Sequence, residues 1–211
     1  MALHFQQAPE ASTNALQAML PRIANRASVA ANAPAIGATV NAALRRRPGV
    51  PTPAPAGPDA ITAPVHVLGL DQIAAKKDIK AAPVRLWSHL LHAEGADAPT
   101  TVADIDAQTQ AFAAMTEGEE ITQLGKRIRS TEATHRTSGQ DYDLALIRVP
   151  ALSLTALWLK GRGGAPDQVI PNDSPQSPLT AGKTYSLDEF NAALAPVAQQ
   201  ILRETDPRKG G

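Results

Sequence analysis

The reactive side chains narrow the chemistry first. The chain has five histidines and no cysteine, so thiolate nucleophiles, disulfides and cysteine-ligated metal or iron–sulfur centres are ruled out. His89 and His92 with Glu94 come nearest to a metal-binding group. On a helix, i and i+3 spacing would bring both imidazoles to one side, but helical zinc sites more often use i, i+4 and a third ligand. On a strand the two histidines would point to opposite faces. The pattern therefore predicts core or surface histidines and no metal or cofactor. His66 could join them only through tertiary contacts.

For acyl-transfer chemistry the chain offers many Ser and Thr hydroxyls but no G-x-S-x-G elbow. Ser153 lies in the apolar run Tyr142–Lys160, where a hydroxyl is expected to be hydrogen-bonded. A triad can still assemble from distant residues, which leaves His66, His89, His92 and Ser153 as the weak catalytic candidates. Asp104 and Asp106, two apart, would share a strand face; solvated surface acids are the default reading. Ala181-Gly182-Lys183-Thr184 imitates the end of a phosphate-binding loop, but Ser177 stands where its first glycine is needed and Pro178 lacks an amide hydrogen. It reads as an ordinary loop before a helix.

Two basic features remain. Arg45, Arg46 and Arg47 form one; Lys126, Arg127, Arg129 and Arg136 form the other. Neither is interleaved with aromatics, so single-stranded nucleic acid has no stacking platform. Formal net charge is zero, with 20 basic and 20 acidic side chains, which argues against a dedicated nucleic-acid binder. The Gly/Pro/Asn/Ser-rich segment 161–180 follows the best-formed strands, and loops on a rigid scaffold often carry function. Trp158, Arg162, Asp167 and Asn172 are its expected binding residues, alongside Arg45–Arg47.

These groups must be positioned by a chain of two kinds. Residues 1–60 hold eight of the 18 prolines. Five arginines against Glu10 and Asp59 give that part a charge of +3 and leave −3 for residues 61–211. Pro48, Pro51, Pro53, Pro55 and Pro58 read as a semi-stiff linker. Upstream, apolar residues are scattered and Pro21 and Pro34 are expected to interrupt any long helix. The organisation expected is a disordered or transiently helical leader over 1–47, a linker over 48–60, an α+β globular domain over 61–205 and a polar tail over 206–211.

Within the domain, Ala63–Leu70 reads as a strand, and Asp71 is expected to cap a short helix over 72–80. Val84–Ala93 is ambiguous but closer to a strand, with Leu86, Ser88, Leu90 and His92 on one face. Thr100–Asp106 is a further short strand. Ile121, Leu124 and Ile128 recur on one face, with glutamates early and basic residues late, predicting a helix over 117–133. Tyr142–Lys160 alternates strongly around Pro150, which belongs at a bend or edge; Asp167–Pro171 adds a last short strand. Ser186–Glu189 has the capping-box pattern. It opens a helix whose stripe is Leu187, Phe190, Leu194, Val197 and Ile201.

The fold class expected is α+β: a small, largely antiparallel sheet with two or three helices packed on one face, preceded by a disordered N-terminal segment. No run of 18 apolar residues could span a bilayer, and the N-terminus lacks the pattern of a secretory signal. The functional expectation is a non-enzymatic interaction or assembly module, cytoplasmic, meeting a protein partner through residues 1–60. Delivery through a non-classical N-terminal signal is the alternative localisation. The alternative function is a small metal-independent hydrolase built from the histidines and loop 161–180.

Overall fold

Tyr142–Val149 (YDLALIRV) sets the architecture, because both of its alternating faces are apolar and a strand of that kind must be covered on both sides. Leu144, Ala145, Leu146 and Ile147 are all fully buried. The computed structural model describes residues 3–32, 61–92, 99–138 and 140–205. In chain order these form β1 (Leu3–His4), α1 (Glu10–Asn32), β2 (Ile61–Val67), α2 (Leu70–Ala74), β3 (Val84–His92), β4 (Pro99–Asp106) and β5 (Phe112–Glu117). There follow α3 (Glu119–Ser138), β6 (Tyr142–Val149), β7 (Leu154–Gly161), β8 (Gln168–Pro171) and α4 (Leu187–Glu204).

The strands make one eight-stranded sheet in the order β5-β4-β3-β2-β6-β7-β8, with β1 added beside β6. Two antiparallel meanders, β2–β5 and β6–β8, meet where β2 runs parallel to β6. The long α3 makes that parallel crossover. The fold is thus α+β with a mostly antiparallel sheet, as the sequence predicts.

The helices are four among the described residues, and they cover both faces rather than one. On the first face Ile121, Leu124 and Ile128 of α3 pack over Val65, Leu90, Val102, Leu144 and Leu146. On the other, α2 and α4 cover the β6–β8 half, with Phe190 and Leu194 against Trp158, Ile147 and Val169. Ser186 accepts from the Glu189 amide and Glu189 from the Ser186 amide, so α4 opens as its capping box predicts. Pro196 lies exposed, off the buried stripe.

α1 covers the remaining quarter and alters the expected organisation. It runs through Pro21, which removes one helical hydrogen bond without ending the helix. Leu16 is fully buried against Leu91, Ala103 and Ile105, and Ser12 Oγ lies 3.0 Å from His89 Nε2. Leu3 is buried through β1, which pairs with Tyr142 and Asp143 of β6. A single leucine in the right place anchors a segment whose average composition looks too poor to pack. The folded unit therefore takes in described residues upstream of 33; Arg45–Arg47, the linker over 48–60 and the tail over 206–211 lie outside the described residues.

Three further elements differ from expectation. Phe112–Glu117 is an edge strand that sequence periodicity misses, because three of its six side chains are exposed. The helix expected at 72–80 is a single turn capped at Gly69, followed by a 3₁₀ turn at Ile79–Ala81. A second 3₁₀ turn, Pro150–Leu152, forms the bend between β6 and β7.

Because Leu16 fills the gap over β3 and β4, Leu16→Ala should destabilise the full chain by about 2–5 kcal/mol. Urea unfolding measures this; a change near zero would mean that α1 is a detachable leader.

Candidate functional site

Arg148 continues the face of β6 that buries Tyr142, Leu144 and Leu146, so its charge enters a region the strand pattern reserves for apolar groups. It is matched by Asp104, 2% exposed on β4. Arg148 Nη1 donates to Asp104 Oδ2 at 2.5 Å, and Nη2 donates to Asp104 Oδ1 and to Ser88 Oγ, each at 3.1 Å. Ser88 in turn donates to Asp104 Oδ1 at 2.5 Å. Fork geometry and the added hydroxyl meet the demand that a buried ion pair be fully hydrogen-bonded. Asp104 is therefore not a solvated surface acid, and its sequence neighbour Asp106 does something separate: it accepts from the amides of Gln108 and Thr109 in the β4–β5 turn.

Arg148 forms part of the wall of a cleft of 440 Å³. The helical wall is the first half of α3, with Glu120, Ile121 and Leu124, and Thr116 of β5 stands beside it. The opposite wall is the β6–β7 bend, with Pro150, Ser153, Leu154 and Thr155, and the chain leaving β8, with Asn172 and Asp173. Ser153 is exposed and holds a left-handed backbone, φ +46°, closing the 3₁₀ turn with its amide on the Pro150 carbonyl. A β-carbon in that region is disfavoured by roughly 1–2 kcal/mol, so the bend carries strain beside the cleft. Asn172 is 8% exposed and extends the ladder through its amide to the Thr155 carbonyl. Its side-chain Oδ1 is buried with no hydrogen-bond partner, an arrangement costing roughly 1–3 kcal/mol.

Two of the expected residues, Ser153 and Asn172, thus meet in this cleft. Three others, His66, Trp158 and Asp167, meet on the opposite face around Lys160. The His66 ring lies edge-on to Trp158 at 4.9 Å, and Lys160 Nζ lies 4.3 Å from the Trp158 ring centre. His66 Nδ1 donates to the Ala82 carbonyl at 2.7 Å, so Nε2 holds the lone pair and accepts from Lys160 Nζ at 2.9 Å. Asp167 accepts from Trp158 Nε1 and from the Gly161 amide and pairs with Lys80. Trp158 is 1% exposed and His66 3% exposed, so the cluster seals the sheet edge and offers little surface to a ligand.

The remaining candidates stand apart. His89 is buried with Ser12, and both side chains are closed to solvent. His92 ends β3 opposite Pro99. Arg162 donates to Asp143 in an exposed pair. Gly182, in the loop resembling a phosphate site, has φ +78° and donates to the Pro171 carbonyl; Arg127 occupies the space where its β-carbon would lie. Among the described residues no three His, Asp or Glu side chains are grouped to hold a metal ion, and no helix is long and apolar enough to cross a membrane.

Sequence reading missed Arg148, Glu120 and Asp173, and took Asp104 for a solvated surface acid. For Arg148 a signal exists: it places a charge on the face of its strand that otherwise holds Tyr142, Leu144 and Leu146. Glu120 and Asp173 carry none, since exposed acids at a helix start and in a loop are common.

Two outcomes are expected from this geometry. Asp104→Ala leaves the Arg148 guanidinium without its counter-charge and should cost about 3 kcal/mol or more, whereas Asp104→Leu with Arg148→Met should recover most of the loss; urea midpoints measure both. Burial holds the pKa values of His66, His89 and His135 below the ordinary 6.5. For His66 the Lys160 ammonium adds to burial and the Ala82 hydrogen bond opposes it; for His89 Asp104 opposes it. Below pH 6.5 the unfolded chain then binds more protons than the folded one, so this contribution is full above that value and is lost as the pH falls through the lower folded values. The unfolding midpoint should drop from about pH 7 to about pH 5, and a flat profile would contradict it.

Comparison with protein-family models, with curated proteins and with solved structures finds no match to this chain.

Proposed function

We propose that this chain is a non-enzymatic binding module. Its folded domain takes a ligand or a partner's side chain in the cleft beside α3, and the arginine-rich residues 1–60 dock the whole to a protein assembly. The observation that carries the reading is the cleft itself: 440 Å³, within the range of small-ligand sites, and lined in part by Asn172, whose buried side-chain oxygen has no hydrogen-bond partner. Ser153, the one candidate nucleophile there, has neither His66 nor His89 as a base, because each of these is hydrogen-bonded elsewhere. A hydrolase has no such supporting observation. The lack of cysteine accords with a cytoplasmic home; export by a signal in residues 1–60 is the competing route.

The test must spare Leu3 and Leu16, so truncating residues 1–57 is unsuitable. Covalent cross-linking of the full chain in extract of its own cells should give a defined complex. Arg45→Ala/Arg46→Ala/Arg47→Ala should weaken it if residues 1–60 dock, and Thr116→Trp, which fills the cleft from β5, should weaken it if the cleft binds. A chain that forms no complex, or one indifferent to both variants, would sink the proposal.

A further inference from the structure

We infer that the cleft between α3 and the β6–β7 bend receives a cationic nitrogen group, guanidinium or ammonium, carried on an apolar stem. This rests on the reading of the cleft as a binding site and names what enters it.

The charge in the cleft points one way. Glu120 on α3 and Asp173 after β8 both face solvent as carboxylates. Among the described residues the only cation in the lining, Arg148, has both Nη atoms engaged by Asp104 and Ser88, so its charge is matched. An anionic ligand would meet two like charges with no free counter-charge. A wholly apolar ligand would leave Asn172 Oδ1 as it is, buried and unpartnered. A donor-rich cation answers both conditions: its charge sits between Glu120 and Asp173, and a small turn of the Asn172 amide gives its N–H group an acceptor.

The floor suits the stem. Leu124 and Leu154 are buried and Ile121 nearly so, and they line the same cleft. Alkyl stems of basic side chains cover such surface while their heads stay with polar groups. A free alkylguanidine or amine and an arginine or lysine side chain of a partner protein share this chemistry, so the experiment must separate them.

The full chain, labelled with nitrogen-15, is titrated with n-butylguanidinium, with n-butylurea of the same shape but no charge, and with butyrate. Saturable shifts of the Ser153 and Thr155 backbone amides and the Asn172 side-chain amide are expected with n-butylguanidinium. Affinity for n-butylurea should be weaker by about tenfold or more, and butyrate should give no response. Glu120→Gln/Asp173→Asn, at two exposed positions, should weaken n-butylguanidinium by a similar factor while the remaining spectrum stays in place. Tighter binding of the capped peptide Ala-Arg-Ala than of arginine amide identifies a protein side chain as the source; equal binding identifies a small molecule.

If n-butylurea or butyrate binds the cleft as well as n-butylguanidinium, the cationic assignment is overturned while the cleft remains a binding site. If the double variant binds unchanged, the carboxylates are not the recognising groups and the inference fails. If no probe moves a cleft resonance, it also fails, and cross-linking with Thr116→Trp decides separately whether the module reading stands.

Discussion

The Arg148–Asp104 pair is the constraint on which the rest of the sheet depends. It joins β6 to β4 across β2 and β3, and so ties the two meanders together on the side where only one parallel ladder links them. A buried guanidinium demands a bonded counter-charge, which leaves few registers in which β4, β3 and β6 can satisfy it. Ser88 completes the arrangement from the strand between. The pair is better understood as a specifier of register than as a source of net stability, since apolar replacements of buried pairs are often no worse.

That constraint has a second effect. Because Arg148 is held against Asp104, Glu120 and Asp173 have no competing cation in the cleft lining among the described residues. The opposite face treats its polar groups differently: His66, Lys160, Trp158 and Asp167 bond to one another and to backbone, and close the surface instead of opening it. One face of the sheet therefore opens a cleft beside the β6–β7 bend, while the other uses this cluster to seal the edge at β7. Placement of the helices produces the difference. α2 and α4 lie over the β6–β8 half of one face, whereas α3 on the other packs mainly against β4 and leaves the bend after β6 uncovered.

Much of the fold was legible from local pattern. The Ser186–Glu189 capping box, the α4 stripe, the α3 stripe, the bend at Pro150 and the strands from Ala63, Val84, Thr100 and Asp167 all rest on short-range periodicity or turn chemistry. β5 was illegible because an edge strand with half its side chains exposed and none buried has no period to read. α1 was illegible for the opposite reason: its attachment depends on Leu16 and Ser12 finding one gap over β3 and β4, which composition cannot report. Of the candidate site, Ser153 and Asn172 were named from local context, but their meeting was not foreseen.

The sequence by itself determined most of the element types after Ala60, the mostly antiparallel sheet, the exclusion of thiol chemistry and the charge division between residues 1–60 and the remainder. Each is a property of neighbouring residues or of composition. Only the tertiary structure decided that both faces are covered and that α1 is part of the fold. It also set Arg148 against Asp104 and gathered Glu120, Ser153, Asn172 and Asp173 around one cleft while holding His66 and His89 apart. These are contacts between residues distant in the chain, set by strand order and helix placement, and side-chain periodicity carries no record of either.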